Sequence, residues 1–121
     1  MKQHFLLLVC VISFAAGCAS LNFARRYNAG FWQGTAEGYA GPLSVLVETD
    51  ENSIVNIEIE EEDEDPFIGR EAIFQLLISV LDADSTDIDA VSGATASSNA
   101  FLEAVDNALQ KAQFHANQQV E

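Results

Sequence analysis

Two stretches of alternating side chains constrain this chain more than any other feature. Leu43, Val45 and Val47 alternate with Ser44, Leu46 and Glu48, and Val55, Ile57 and Ile59 alternate with Asn56, Glu58 and Glu60. A period of two lines up one set of side chains on one face of a strand. Thr49 to Asn52, between the two stretches, is polar and reads as a turn, so they form a hairpin. Before Pro42, the segment Gly34-Thr35-Ala36-Glu37-Gly38-Tyr39-Ala40-Gly41 alternates Thr, Glu and Tyr with small residues. That is the pattern of a strand whose neighbour approaches closely. From Phe31 onward the chain therefore predicts three short consecutive strands, an antiparallel meander with one buried face.

That face needs a cover, and the second half of the chain supplies it. Ile73, Phe74, Leu77, Val80 and Leu81 recur at helical spacing, which predicts a helix over 70 to 81, with Leu76 and Ile78 widening its apolar stripe. Phe101, Leu102, Val105, Ala108, Leu109 and Ala112 trace a second helical face, with Glu103, Asp106, Asn107, Gln110 and Lys111 on the other side. The expected class is α+β: a small antiparallel sheet packed with two main helices, and Ile88 to Val91 as a candidate further short strand.

Charge narrows the function classes. The 121 residues hold 19 acidic against 5 basic side chains, a net charge of -14. Nucleic acid is excluded as a partner, because its affinity comes largely from Lys and Arg neutralising phosphates; adsorption onto anionic lipid is disfavoured for the same reason. Glu60 to Asp65 is a run of six carboxylates, which repel one another and favour a solvated loop over a metal site. Asp82 to Asp87 fails as a calcium loop, with Asp87 where Gly belongs and Gly93 where a bidentate Glu belongs. His4 and His115 stand alone, and the chain carries no Walker loop, nucleophile elbow or dinucleotide-binding glycine pattern.

Residues 1–17 read as an export signal. Lys2 gives a positive start, Phe5 to Ala16 a short apolar run, and Ala15-Ala16-Gly17 small residues before Cys18. The run is shorter than the ~20 apolar residues a membrane span needs. Small residues followed by Cys resemble the lipobox of bacterial lipoproteins, with Ala15 where Leu is usual; the alternative is an ordinary signal peptide cleaved elsewhere. The resemblance implies cleavage before Cys18, lipidation of Cys18 and an extracytoplasmic, membrane-anchored lipoprotein. Residues 18–32 would then be a tether, 33–112 the domain and 113–121 a polar tail. Cys10 would leave with the leader, so the mature domain would keep no free thiol.

The remaining feature is Asp89-Ala90-Val91-Ser92-Gly93-Ala94-Thr95-Ala96-Ser97-Ser98, a run of small and hydroxyl residues where a loop turns into the second helix. Ser97, Ser98 or Asn99 could simply cap that helix. One cap needs one hydroxyl, however, and four stand here. The start of a helix also exposes unpaired N–H groups and the positive end of its dipole, which suits a phosphate.

These ten residues resemble the signature of the FMN-binding domain family, whose members include components of the sodium-translocating NADH:quinone reductase and of Rnf complexes, and small extracytoplasmic flavoproteins. In that family the Thr after Ser/Thr-Gly-Ala is esterified to the phosphate of FMN by a flavin transferase that takes the group from FAD. The resemblance implies FMN as cofactor, Thr95 as its attachment point, and Asp89, Ser92, Gly93 and Ala94 as the segment the transferase recognises, with Ser97 and Ser98 beside it. It extends to Glu64-Asp65-Pro66-Phe67-Ile68-Gly69, which is similar to a family loop near the flavin at Glu64, Pro66 and Gly69 and departs from it at Asp65 and Phe67. Trp32, Tyr39 and Phe67 are aromatic candidates to flank the ring.

Charge bears on how the cofactor would be held. After Arg26 the fixed cations are Arg70 and Lys111, too few for the basic clamp that usually binds a phosphate. An ester to Thr95 removes that requirement. The expectation is an exported, lipid-anchored electron carrier with an unidentified membrane or extracytoplasmic redox partner, rather than an enzyme with its own substrate site. Two rivals remain: a domain that binds FMN noncovalently, and an acidic structural or interaction lipoprotein in which the hydroxyls only cap a helix.

Overall fold

In the computed structural model, which describes residues 25–113, the alternating stretches are strands β1 (Gly30–Glu37), β2 (Pro42–Thr49) and β3 (Ile54–Glu61). They form one antiparallel sheet in the order β1-β2-β3. The helical patterns are α1 (Gly69–Ala83) and α2 (Thr95–Ala112). The leader, Cys18 and residues 114–121, with His4 and His115, lie outside the described residues.

Register explains the buried face. Trp32 pairs with Val47, Gly34 with Val45 and Ala36 with Leu43 across β1 and β2; Val45 pairs with Ile59 and Val47 with Ile57 across β2 and β3. Leu43, Val45, Val47 and Ile57 thus point to one side, where they meet Ile73, Leu76 and Val80 of α1 and Phe101, Ala104, Val105 and Ala108 of α2. Helix α2 lies on β1 and β2, and α1 lies against α2 and β3. The small residues of β1 are what let α2 approach: a Cβ on Gly34 would overlap the Ala104 carbonyl oxygen and sit 2.7 Å from the Ala108 amide nitrogen. Burying these side chains is the main stabilising term, about 1.5–3 kcal/mol for each large apolar side chain taken fully from water.

Four expectations need correction. The first strand begins at Gly30 and ends at Glu37, because Gly38 to Gly41 turn the chain, closed by a 2.7 Å bond from the Gly38 N–H to the Gly41 carbonyl. The tether drawn through residue 32 is consequently too long. Gly30 to Trp32 belong to β1, and Tyr27 is buried in the core and bridges to Gln113. Ile88 to Val91 form no strand: the Ile88 N–H bonds the Thr86 carbonyl at 2.8 Å, and the Val91 N–H bonds Ser98 Oγ at 3.0 Å, so these donors are used locally. The acidic run is not all loop either. Glu60 and Glu61 complete β3, and Glu64 is buried.

The first described residues are fastened to the far end of α2. The Asn28 N–H donates to the Ala112 carbonyl at 2.7 Å. Arg26 donates to Asp84 Oδ2 at 2.6 Å and lies 4.9 Å over the Tyr27 ring, while Asp84 Oδ1 accepts from the Ile54 N–H at 2.8 Å. Burial pushes the Tyr27 phenol up, against the lowering effect of the Arg26 charge.

Candidate functional site

The hydroxyl segment reaches its position through Gly93 and Ser98. Gly93 has φ 86 with nothing within 4 Å of where a Cβ would sit, so glycine is needed there for the backbone turn and not for space. The turn is closed by the Ala94 N–H bonding the Val91 carbonyl at 3.0 Å. Ser98 is fully buried, and its Oγ accepts the Val91 N–H, tying the approach loop to the first turn of α2.

The helix starts at Thr95, with Ala94 in the capping position and no side-chain cap. Ser97 and Ser98 therefore sit inside the first turn instead of capping it, a correction to the capping expectation. Its consequence is chemical. The first helical bond to close is from the Ser98 N–H to the Ala94 carbonyl at 2.9 Å, and the N–H groups of Thr95, Ala96 and Ser97 donate to no acceptor among the described residues. Three unpaired donors at the positive end of an 18-residue helix are a ready anion site.

These groups face a cavity of about 540 Å³ lined by Tyr39, Asp65, Ile68, Gly69, Gly93, Ala94, Thr95, Ala96 and Ser97. Its size falls within the range of about 300–1,000 Å³ typical of cofactor sites. Segments distant in sequence thus share one site: the β1–β2 turn, the loop into α1 and the start of α2. Gly69 sets how closely the latter two approach, since a Cβ there would lie 2.8 Å from Ser97 Oγ and 2.9 Å from Glu64 Cβ.

Of the residues singled out in the sequence, Gly69, Gly93, Ala94, Thr95 and Ser97 line the cavity. Asp89 and Ser92 are exposed outside it, on the approach to α2. Pro66 is exposed and absent from the lining. Glu64 is placed differently from a ligand contact: it is buried, and its two oxygens accept the Tyr39 N–H at 2.8 Å and the Ala40 N–H at 2.7 Å. Its carboxylate holds the turn that carries Tyr39 over the cavity. Trp32 packs against the core and donates its indole N–H to Thr49 Oγ1 at 3.0 Å, which leaves Tyr39 as the aromatic side chain in the lining.

Sequence reasoning passed over Asp65 and Ile68. Asp65 Oδ1 accepts the Phe67 N–H at 2.8 Å and the Ile68 N–H at 3.0 Å, so the loop is built on its side chain. The signal was present in Asp65-Pro66, because Asp before a turn bonds the backbone two residues on.

The lining contains no Lys or Arg. Arg70 pairs with Glu62, and Lys111 donates to the Gln33 carbonyl at 2.7 Å. An anion bound here would be met by backbone amides, small residues and the Thr95 hydroxyl, which is exposed and without a hydrogen-bond partner among the described residues. Those donors can meet a phosphate without a side-chain cation.

The FMN-binding domain family matches the chain over residues 38–110. The chain is also similar to an NADH:acrylate oxidoreductase of Vibrio harveyi, 33% identical over 88 residues that cover 73% of this chain and 9% of that protein. A urocanate reductase of Eggerthella lenta is 36% identical over 101 residues, 78% of this chain and 17% of the relative. An uncharacterized protein of Treponema pallidum is 33% identical over 85 residues, 69% and 23% of the two lengths. The matched region thus spans less than a quarter of each of these curated relatives.

Proposed function

This chain belongs to the FMN-binding domain family, with FMN as its cofactor and a redox function, and we propose that it carries the FMN esterified to Thr95 and acts as an exported, lipid-anchored electron carrier. When bound, the flavin supplies transfer of one or two electrons. The chain's own contribution is to hold and orient it. The observation that carries the attachment site is the position of Thr95: among the hydroxyls of the segment it alone both lines the cavity and is exposed. Ser92 is exposed but outside the lining, Ser97 is nearly buried, and Ser98 Oγ is engaged with Val91.

Attachment would follow from the same geometry. The Thr95 oxygen would attack the flavin-side phosphorus of FAD, the pyrophosphate bond would break, AMP would leave, and the hydroxyl proton would pass to a base on the transferase. Asp89, Ser92 and Gly93 are exposed on the approach to Thr95, which suits recognition by another enzyme. Once joined, the phosphate would rest against the Thr95, Ala96 and Ser97 amides, each such charge-assisted bond shorter and stronger than a neutral one. Export and anchoring rest on the sequence of residues 1–18, and the redox partner on the need of a bound flavin for a donor and an acceptor of its electrons.

The experiment is to express the full chain with a flavin transferase, denature it, and measure flavin fluorescence and mass. An FMN-sized increment that survives denaturation and is lost in Thr95→Ala is the expected result. Flavin released on denaturation would instead establish noncovalent binding, and retention of the adduct in Thr95→Ala would move the attachment elsewhere. For anchoring, a Cys18→Ser chain should lose its lipid mass and leave the membrane fraction.

A further inference from the structure

We infer that the mouth of the Thr95 cavity is a docking face for a separate redox protein with a basic surface, a reading that rests on the flavin being held there. Three independent observations carry it. The first is where the chain ends lie. Asn28 and Tyr27 are bonded to Ala112 and Gln113 at the C-terminal end of α2, whereas Thr95 is its first residue. At about 1.5 Å per residue, the 18-residue helix separates these points by about 27 Å. The described chain therefore enters and leaves at the pole away from the cavity.

The second observation is the rim. Tyr39 is 83% exposed, Phe67 87% and Ile68 56%. Tyr39 and Ile68 line the cavity and Phe67 adjoins them, with its N–H fixed by Asp65. An apolar rim around a cofactor mouth, on loops fixed by Glu64 and Asp65, has the composition of an interface centre.

The third is charge at the mouth. No Lys or Arg lines the cavity, Arg70 beside it is paired with Glu62, and at the other pole Arg25 and Arg26 are likewise paired, with Glu51 and Asp84. Asp65 lines the cavity, Asp63 lies beside the turn that carries Tyr39, with Oδ2 3.6 Å from where a Gly41 Cβ would be, and Glu61 precedes it at the end of β3. A partner approaching this pole meets carboxylates around an apolar centre. The complement is a face of Lys and Arg around a redox centre, drawn in by the field of the whole domain. Each productive encounter would move one electron from the reduced flavin to the partner's oxidised centre, the flavin losing what the partner gains.

Docking can be tested with and without flavin. The isotope-labelled full chain, flavinylated and as flavin-free Thr95→Ala, is titrated with mitochondrial cytochrome c, a basic haem protein, and amide shifts are followed by NMR. The expected shifts fall on Tyr39, Phe67, Ile68 and Gly93 and weaken with salt. Glu61→Lys with Asp63→Lys should raise Kd about tenfold. Asp82→Lys with Asp87→Lys makes the same charge change at the other pole and should raise it less than about twofold. Phe67→Ser should weaken binding without changing its salt dependence. Equal weakening by the two charge pairs, shifts centred on Arg25 and Asp84, absence of binding, or rim shifts caused by phosphatidylcholine vesicles would each overturn the docking face. Absence of flavin from the transferase-treated chain would overturn the cofactor reading alone, because the Thr95→Ala titration reports docking without it.

Discussion

The two ends of α2 face opposite demands, and the sequence treats them oppositely. At the C-terminal end the Ala112 carbonyl is bonded by Asn28, Tyr27 bridges to Gln113, and Lys111 lies in the last turn, where a cation complements the dipole. At the N-terminal end Thr95, Ala96 and Ser97 leave their amides unpaired, no side chain caps the turn, and a cavity opens beside it. An uncapped helix start forgoes about 0.5–2 kcal/mol relative to a good cap. One end is closed for stability and the other left open for a ligand, so substitutions at the two ends should separate stability from cofactor loading.

The sharpest separation is at Thr95. Thr95→Ala should abolish the covalent flavin entirely while leaving the unfolding free energy of the flavin-free chain, from urea titration, within about 0.5 kcal/mol of the parent, since the side chain is exposed and bonded to nothing among the described residues. A large loss of stability in that variant would mean that the hydroxyl is structural after all and that the two ends do not differ in kind.

Next is the closed pole. Asp84→Ala removes the acceptor for the Ile54 N–H and the partner of Arg26, at a residue with φ 52 where Ala is strained. It should cost about 2 kcal/mol of unfolding free energy, measured by denaturant titration, and leave flavinylation intact. Asp84→Asn, which tolerates that backbone and keeps an acceptor, should recover part of the loss. If flavinylation fell in step with stability in these variants, the poles would be coupled.

Ser98→Ala probes the join between the two roles. It strips the acceptor from the Val91 N–H and should cost about 1 kcal/mol. It should also slow flavinylation, because the loop from Asp89 to Ala94 would lose the bond that holds its approach to Thr95. An initial rate unchanged from the parent would show that the loop is positioned by the Gly93 turn alone.

How much of this is legible in the sequence differs between sheet and site for a physical reason. Period-two alternation in β2 and β3 and helical spacing in α1 are local, and they locate those elements to within two residues; for α2 the apolar face gives the C-terminal end, whereas the helix starts at Thr95, six residues before Phe101. β1 is harder, because its inward positions include Gly34 and Ala36, whose small size is dictated by the backbone of α2 across the sheet and has no local hydrophobic signal. The Thr95 segment stands out through its local composition. The roles of Glu64, Ser98 and Asp65 do not, because each depends on which backbone amide comes within reach after folding. Glu64 is the clearest instance: the sixfold acidic run reads as uniformly solvated, yet one member is buried because the Tyr39 and Ala40 amides of a tight turn need an acceptor.

The smallest effect is expected at the β2–β3 turn, which lies beside the closed pole. Asp50 Oδ1 accepts the Asn52 N–H at 2.8 Å, the Ser53 N–H at 2.7 Å and the Ser53 hydroxyl at 3.0 Å. The backbone bonds from Asn52 and Ser53 hold its carboxyl below the ordinary value of 3.8. A carboxyl whose folded pKa is depressed contributes stability that is full above its unfolded pKa and is lost as pH falls through the folded value. The contribution of Asp50 should therefore be present at neutral pH and disappear on acidification below about pH 4. In Asp50→Asn the melting temperature should be slightly lower at neutral pH and converge on the parent in acid, because the parent has then lost the same charge. The flavin content of the two proteins should be equal throughout, as the turn meets Arg25 and Arg26 rather than the cavity. A gap in melting temperature that persisted unchanged into acid would show that Asp50 acts through the shape of the turn and not through its charge.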